Sequence, residues 1–314
     1  MKRKVVKHGS ATLTVSLPSK WAKKYGIHAG DELDIKEDMG KLVITTDKGY
    51  ETIKECNLNL DVCGPISQSC IGALYKGGAD SIRLTFTKPE GMQAVDNSLR
   101  DLLGFEIMHQ SNNSCIIKEI STFGQEELSS MLKRTFLLLI SISDDSLDSL
   151  KQGDKDLLKK IIERDVIVNK FANYCRRIMN KKGVANIKEL PMTYYVVEEV
   201  ENLGDEYKYL CKHILENNIK IDNKEILRIF ENLNKLFSDF FKLYFKFNIG
   251  KARKLVEEKK KLTKQINKFF KTAQANDARI LDCLHRMAVI VTNMVGPLLT
   301  MKMAPLCDVK NFME

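Results

Sequence analysis

Two pairs of polar side chains stand four residues apart in the second half of this 314-residue sequence: Asp165 with Asn169, in Asp-Val-Ile-Val-Asn, and Glu201 with Asp205, in Glu-Asn-Leu-Gly-Asp. On a helix, residues four apart lie about one turn above each other, so Glu201 and Asp205 present two carboxylates toward one point. Two helices doing so can hold a hard or borderline cation. On a helical wheel Glu198, Glu201 and Asp205 fall opposite the apolar stripe of their helix, and Asp165 and Asn169 sit at the edge of theirs, which predicts an accessible site. The same spacing equally serves a solvated acidic face neutralised by Lys208 and Lys212. A metal-dependent hydrolase would use Glu201 and Asp205 as ligands, but hydrolytic sites need a positioned histidine or general base, and none accompanies these carboxylates.

A different chemistry is written at the other end. Met1 to Lys24 holds seven Lys or Arg and no carboxylate, whereas Tyr25 to Tyr50 holds three Lys against six Asp or Glu. Such a basic edge suits an anion, nucleic acid first; its plain alternative is a solvated edge that only aids solubility. The elements that must position it are short. Thr12 to Leu17 alternate as a half-buried strand, Pro18 stops the ladder and starts a helix over Ser19 to Tyr25, and Gly26 ends it. Ile27 to Asp31 supply a turn, and Leu33, Ile35, Leu42 and Ile44 alternate inward in a hairpin across Met39-Gly40. A unit of about fifty residues with so few apolar side chains is marginal alone, so it should pair with a second copy.

The string from Lys7 to Ile35, with Lys-His-Gly-Ser, then Ser-Leu-Pro-Ser-Lys-Trp-Ala-Lys-Lys-Tyr-Gly-Ile, then Ala-Gly-Asp-Glu-Leu-Asp-Ile, resembles the AbrB/SpoVT/MazE swapped-hairpin family. The resemblance implies a homodimer of interleaved hairpins that binds DNA through Lys4, Lys7, His8, Lys20, Lys23 and Lys24. Lysine dominates where that family often carries arginine. An ammonium is a point charge and a guanidinium a fork, so phosphate contact is favoured over bidentate base readout.

Residues 51–123 read as a small α/β domain of order βαβαββ. Asn57 to Asp61 is a strand, Ile66 to Lys76 a helix, Ser81 to Thr87 a strand, Pro89 to Leu103 a helix, and Phe105 to His109 with Cys115 to Ile120 a closing hairpin. It holds no glycine-rich phosphate loop, no Ser-His-Asp order and no metal-ligand spacing, which leaves it a connector or sensor. From Gln125 onward turn signals cut a helical chain into six segments: Gln125 to Lys151, Asp154 to Asn180, Met192 to Asn217, Lys224 to Asn248, Gly250 to Thr272 and Asn276 to Met303. In the third, Val196, Val200, Leu203, Tyr207, Leu210 and Ile214 recur at steps of three and four as one apolar stripe.

Six helices of similar length suggest three repeated twice, over residues 125–217 and 224–305. A tandem of three-helix bundles carrying the Asp165 to Asn169 and Glu201 to Asp205 phrases resembles the PhoU family of phosphate-uptake regulators. The resemblance implies a divalent or iron-type metal ion at the first bundle, held by Asp165, Asn169, Glu198, Glu201 and Asp205. The aligned positions of the second bundle are Lys259, Thr263, His285 and Val289, which predicts no second site. Between Lys242 and Lys271 the sequence instead holds eleven Lys or Arg against Glu257 and Glu258. This run is either a solvated face or a surface for an acidic protein, phospholipid headgroups or the DNA backbone.

The expected fold is therefore multidomain: a β-rich swapped-hairpin head over residues 1–50, an α/β middle domain over 51–123, and an all-α body of two three-helix bundles. Together these resemble the archaeal type of phosphate-uptake regulator, which implies a DNA-binding regulator of phosphate transport. A phosphate transporter ATPase or a sensor protein is the implied partner of the body. A rival is an adaptor that dimerises through its head, never reads DNA and docks on the transporter. The net charge of +9 fits an anionic partner. No apolar run reaches the roughly eighteen residues of a spanning helix and the N-terminus lacks a signal-peptide core, so a cytoplasmic protein without a transmembrane segment is expected. The eight cysteines are scattered without a C-x-x-C pair and read as free thiols in a reducing compartment.

Overall fold

Glycine and proline punctuate the first fifty residues into short pieces. Val5–His8 (β1) and Thr12–Val15 (β2) pair antiparallel, Val5 opposite Val15 and His8 opposite Thr12. Gly9 in the connecting turn has φ +71°, a conformation open mainly to glycine. Pro18 precedes Ser19–Lys24 (α1), and Gly26 at φ +59° ends that turn of helix. Asp34–Asp38 (β3) and Lys41–Thr45 (β4) form a second antiparallel pair, with Ile35 opposite Ile44. The computed structural model describes residues 2–38, 41–46, 54–120, 127–182, 189–221 and 223–303; the expected Met39-Gly40 turn lies outside them. The chain divides into two units, Met1–Lys54 and Glu55–Glu314.

The alternation expected to turn apolar residues inward half-buries Leu33 and Ile44 but leaves Ile35 and Leu42 uncovered within one copy of the first unit. Ile35 and Leu42 are 60% and 68% exposed, and Val5, Val6 and Leu13 are exposed as well.

In the second unit Glu55–Asn59 (β5) ends where the Asn59 side chain accepts the Asp61 amide at 2.9 Å, capping the helical turn Leu60–Cys63 (α2). The strand expected to reach Asp61 therefore stops two residues earlier. A 3₁₀ turn, Gly64–Ile66, leads into Ser67–Lys76 (α3). Ser81–Thr85 (β6) runs parallel to β5, and Pro89–Leu99 (α4) follows it. The helix expected to reach Leu103 gives way to turns after Leu99: the Asp101 amide bonds Ser98 O and the Leu102 amide Leu99 O, which buries Leu102. Phe105–Gln110 (β7) and Ser114–Glu119 (β8) close the sheet in the order β5-β6-β8-β7.

Six long helical segments follow: Glu127–Gln152 (α5), Lys155–Lys182 (α6), Leu190–Glu216 (α7), Lys224–Phe245 (α8), Ile249–Phe270 (α9) and Ala275–Asn293 (α10), the last continued by Val295–Met303 (α11). The expected single helix from Asn276 to Met303 is interrupted at Met294. Pro297 supplies no amide donor, and its ring conflicts with the carbonyl of Asn293. The α7 stripe of Val196, Val200, Leu203, Tyr207, Leu210 and Ile214 is buried throughout.

Helices α5 to α7 and α8 to α10 form two sets of three that share one core. Phe136 of α5 sits 5.9 Å from Phe237 and 5.6 Å from Tyr244 of α8, ring centre to ring centre. Tyr207 of α7 donates to Asn234 Oδ1 of α8 at 2.9 Å, and Asn234 Nδ2 donates to Ser143 O of α5 at 2.7 Å. Among the described residues the stretch 275–303 is long and apolar enough by composition to cross a membrane, yet Ile280, Leu281, Leu284, Met287, Ala288 and Val291 are buried in this core. Tyr174 and Ile178 of α6 belong instead to the core of the α/β layer, alongside Tyr75, Ile82, Leu84, Phe105 and Ile117.

Candidate functional site

Helices α6 and α7 approach closely because residue 204 is glycine: a Cβ there would stand 3.1 Å from Val168 Cγ1 and 3.7 Å from Asp165 Oδ1. That approach decides the fate of the carboxylates. Asp165 is buried, not at an accessible edge, and Lys208 reaches across from α7 to its Oδ2 at 2.7 Å while also pairing with Asp205. Asn169 Nδ2 donates to the same Asp165 oxygen at 3.3 Å. Glu198 and Glu201 meet a different cation, Arg176 of α6, whose Nη2 donates to Glu198 Oε2 at 2.8 Å and also to Glu201. Arg176 Nη1 donates to Asn173 Oδ1 at 3.0 Å.

The five expected ligands thus lie along one α6–α7 seam, but its four carboxylates divide between two built-in cations and Asn169 bonds Asp165. Burial raises the Asp165 pKa above the usual carboxylate range, and Lys208 pulls it back only in part. For Lys208 itself burial works against the charge, yet the hydrogen bonds to Asp165 and Asp205 outweigh it and hold the ammonium above its ordinary value. Arg176 behaves likewise: desolvation opposes its charge, and Glu201 with Glu198 more than restores it. A fifth carboxylate, Asp101 from the α/β layer, joins this neighbourhood; burial, then Asp165 and Glu201, push its pKa up.

These residues do not fit a metal centre. No group of three or more His, Cys, Asp or Glu able to hold a metal ion exists among the described residues, and Lys208 and Arg176 take the positions in which a cation would neutralise the carboxylates. Two acceptors are buried without a partner, Asp165 Oδ1 and Asn169 Oδ1. Two oxygens fall short of the roughly six to eight that a hard cation such as calcium gathers. Lys208 was legible in the sequence as a neutralising charge, but Lys212 pairs with Glu216 at 3.7 Å instead of joining the seam. Arg176 was not legible, because its partners lie 22 and 25 residues away on another helix.

The neighbour of Arg176 faces the α/β layer. Arg177, 1% exposed, donates to Tyr75 O at 2.7 Å and to Glu119 Oε2 at 2.9 Å, with Asp80 Oδ1 at 3.3 Å. Its guanidinium carbon lies 4.9 and 5.0 Å from the ring centres of Tyr75 and Phe105. Lys181, one turn on, adds contacts to Asp80 and, at 2.7 Å, to Glu119.

Within the α/β layer a cavity of about 600 Å³ opens at the carboxyl ends of the parallel strands β5 and β6, where α/β sheets commonly receive ligands. Asp61, Gln68, Lys88 and Glu90 line it. The Asp61 carboxylate is already committed to the Thr87 amide, at 3.1 and 3.0 Å. The buried thiols Cys175 and Cys211 are pushed by desolvation to about 12 and about 11, which makes them inert.

In the first unit Lys4, Lys7, His8, Lys20, Lys23 and Lys24 are exposed, and none has an ion-pair partner among the described residues. Lys7 and His8 close β1 next to the Gly9 turn, and Lys20, Lys23 and Lys24 share one face of α1 by their spacing. The carboxylates Asp34 and Glu37 stand on the β3 strand.

Residues 6–51 match the family described as antidote-toxin recognition MazE, bacterial antitoxin. Among solved structures the chain is similar to the phosphate transport system regulatory protein PhoU from Streptococcus pneumoniae, at 18% identity over 59% of this chain and 98% of that one, with a TM-score of 0.47. It is also similar to PhoU from Pseudomonas aeruginosa, at 17% identity over 56% of this chain and 95% of that one, with a TM-score of 0.46. No curated protein matches the chain.

Proposed function

We propose that this protein is a DNA-binding regulator of phosphate uptake, with a dimeric N-terminal head that contacts DNA and a helical body that receives the phosphate signal. One observation carries the DNA reading: the segment matched by the MazE family holds five cationic or imidazole side chains, Lys7, His8, Lys20, Lys23 and Lys24, that stand exposed without carboxylate partners among the described residues. The exposed Val5, Leu13, Ile35 and Leu42 support a second copy of the head, since apolar surface of that extent on a small unit is covered in stable proteins. Lysine at these positions favours phosphate contacts, so affinity should fall steeply with salt, about 0.9 in log K per log salt for each phosphate neutralised. The phosphate part of the proposal rests on the Asp165 to Asn169 and Glu201 to Asp205 phrases of the body.

Fluorescence anisotropy of the full-length protein on its own upstream DNA, a phosphate-transporter promoter and a scrambled duplex tests the reading. The expected result is tighter promoter binding at physiological salt, abolished in a Lys20→Glu, Lys23→Glu, Lys24→Glu variant whose molar mass stays that of the wild-type dimer. Unchanged binding in that variant would sink the DNA reading and favour an adaptor that dimerises through its head and docks on a transporter.

A further inference from the structure

Between Lys246 and Lys271 there are ten Lys or Arg against Glu257 and Glu258. This one stretch accounts for nearly the whole formal charge of +9 that the chain carries. Helix α9 organises it. Ala252, Leu255, Leu262 and Ile266 bury one side in the body's core, and the opposite side carries Arg253, Lys260, Lys264, Lys268 and Lys271, all exposed, with Lys254 and Lys261 alongside. Neutralisation from within is slight. Arg253 reaches Glu257 only at 3.6 Å and Lys254 reaches Glu258 at 4.0 Å, while the remaining lysines of the ridge have no ion-pair partner among the described residues.

Large apolar side chains stand at both ends of this ridge. Phe245 and Ile249, 39% and 57% exposed, mark the corner between α8 and α9, and Phe270, 37% exposed, closes the far end. A helix of this length spans roughly 33 Å, so cations line a straight face with apolar side chains at its two ends. Beside it a cleft of about 220 Å³ between α8 and α9 is lined by Lys235, Lys261, Asn232, Gln265 and one carboxylate, Glu258.

We propose that the α9 face is a docking surface for an anionic lipid bilayer. Lipid phosphates complement a row of ammonium charges, and the acyl boundary accepts Phe245, Ile249 and Phe270. A nucleic-acid backbone would satisfy the lysines equally but would leave the exposed parts of these three apolar side chains in water, and that difference selects the membrane. The apolar stripe of α9 is already committed to the core, so the helix lies on the surface and does not insert. Attachment is peripheral, and salt releases it.

Flotation of the full-length protein with vesicles of phosphatidylcholine alone, and with phosphatidylglycerol at three parts in ten, tests this. Capture by the anionic vesicles only, released by 0.5 M salt as an order-of-magnitude challenge to screened charge, is the expected result. Each cation removed should weaken binding roughly fivefold, so Lys260→Glu, Lys264→Glu, Lys268→Glu should lose it by more than a hundredfold with the melting curve unchanged. Phe245→Ser with Ile249→Ser should release the protein at lower salt, and the head variant Lys20→Glu, Lys23→Glu, Lys24→Glu should still float. Failure of the wild type to float, or equal flotation by wild type and α9 variant, would overturn the proposal. So would an α9 variant that keeps its vesicles but loses affinity for duplex DNA, which would make the ridge a nucleic-acid surface. None of these outcomes depends on whether the head reads DNA.

Discussion

Arg176 and Arg177 are consecutive residues of α6, both almost wholly buried, and they hold different parts of the protein: Arg176 pairs with Glu198 and Glu201 of α7, and Arg177 with Tyr75, Asp80 and Glu119 of the α/β layer. Successive helix positions differ by about 100° in direction, so one peptide step sends two guanidinium groups to two partners. The α/β layer is thereby fastened to the same turn of helix that carries the acidic seam.

Removing one partner of a buried charge network weakens the compensation of the others. Arg177→Met should therefore cost about 3 kcal/mol, the low end for a broken buried pair, because Lys181 still reaches Asp80 and Glu119 while the Tyr75 carbonyl loses its donor. Arg177→Lys should recover little, since one ammonium cannot supply both the carbonyl and the carboxylate contacts. Hydrogen exchange across residues 55–120 distinguishes the outcomes: protection there should fall well before protection in α7 and α8, and a uniform loss would deny the layer its dependence on Arg177.

The pH dependence at Lys208 has a definite sign. Asp165 has a raised pKa in the fold, so the folded state binds protons more readily than the unfolded chain, and stability falls as pH rises through the folded value. The Lys208 pKa is raised too, so its contribution is complete below about 10.5 and is lost at higher pH. Lys208→Met removes the ammonium that offsets the ionised carboxylate. With the side chain a quarter exposed, the loss at pH 7.5 should be about 2–3 kcal/mol, discounted from the cost of breaking a fully buried pair. Near pH 4 a larger share of Asp165 carries its proton than at pH 7.5, because its pKa is raised, and the difference should shrink. Urea unfolding at the two pH values measures it; an equal difference at both would remove Asp165 from the account.

Because Lys208 and Arg176 already neutralise the seam, chelator treatment should leave the melting temperature of the wild type unchanged, and added Mn²⁺ or Fe²⁺ should not raise it. Lys208→Ala empties the space beside Asp165 and Asp205 and should make the melting temperature respond to millimolar divalent ion. A wild-type protein purified with stoichiometric metal by elemental analysis would contradict this.

The two helix sets are joined by a buried chain of hydrogen bonds from Tyr207 through Asn234 to the Ser143 carbonyl. Tyr207→Phe keeps the ring and leaves Asn234 Oδ1 unpaired, at a cost of about 1–3 kcal/mol. Thermal unfolding should remain a single transition shifted downward, since the shared core stays intact.

Much of the architecture was legible in the chain because its determinants are local. The α7 stripe from Val196 to Ile214 repeats every three to four residues, and Gly26 and Gly153 mark helix ends at which φ is positive. The βαβαββ order follows from alternation broken by turn residues; the cap at Asn59 and the turns after Leu99 each ended an element earlier than its pattern implied. The basic head and the α9 ridge are matters of composition and helical phase, visible without coordinates. Tertiary structure alone decided the site. Whether Asp165 is a solvated ligand or a buried half of an ion pair depends on how closely α6 meets α7 at Gly204, and whether Glu201 faces a metal or Arg176 depends on a side chain 25 residues away on another helix. Periodicity reports which face of an element is apolar; the energy of a buried charge depends on which opposite charge packing brings within about 3 Å, and one-dimensional spacing does not contain that distance.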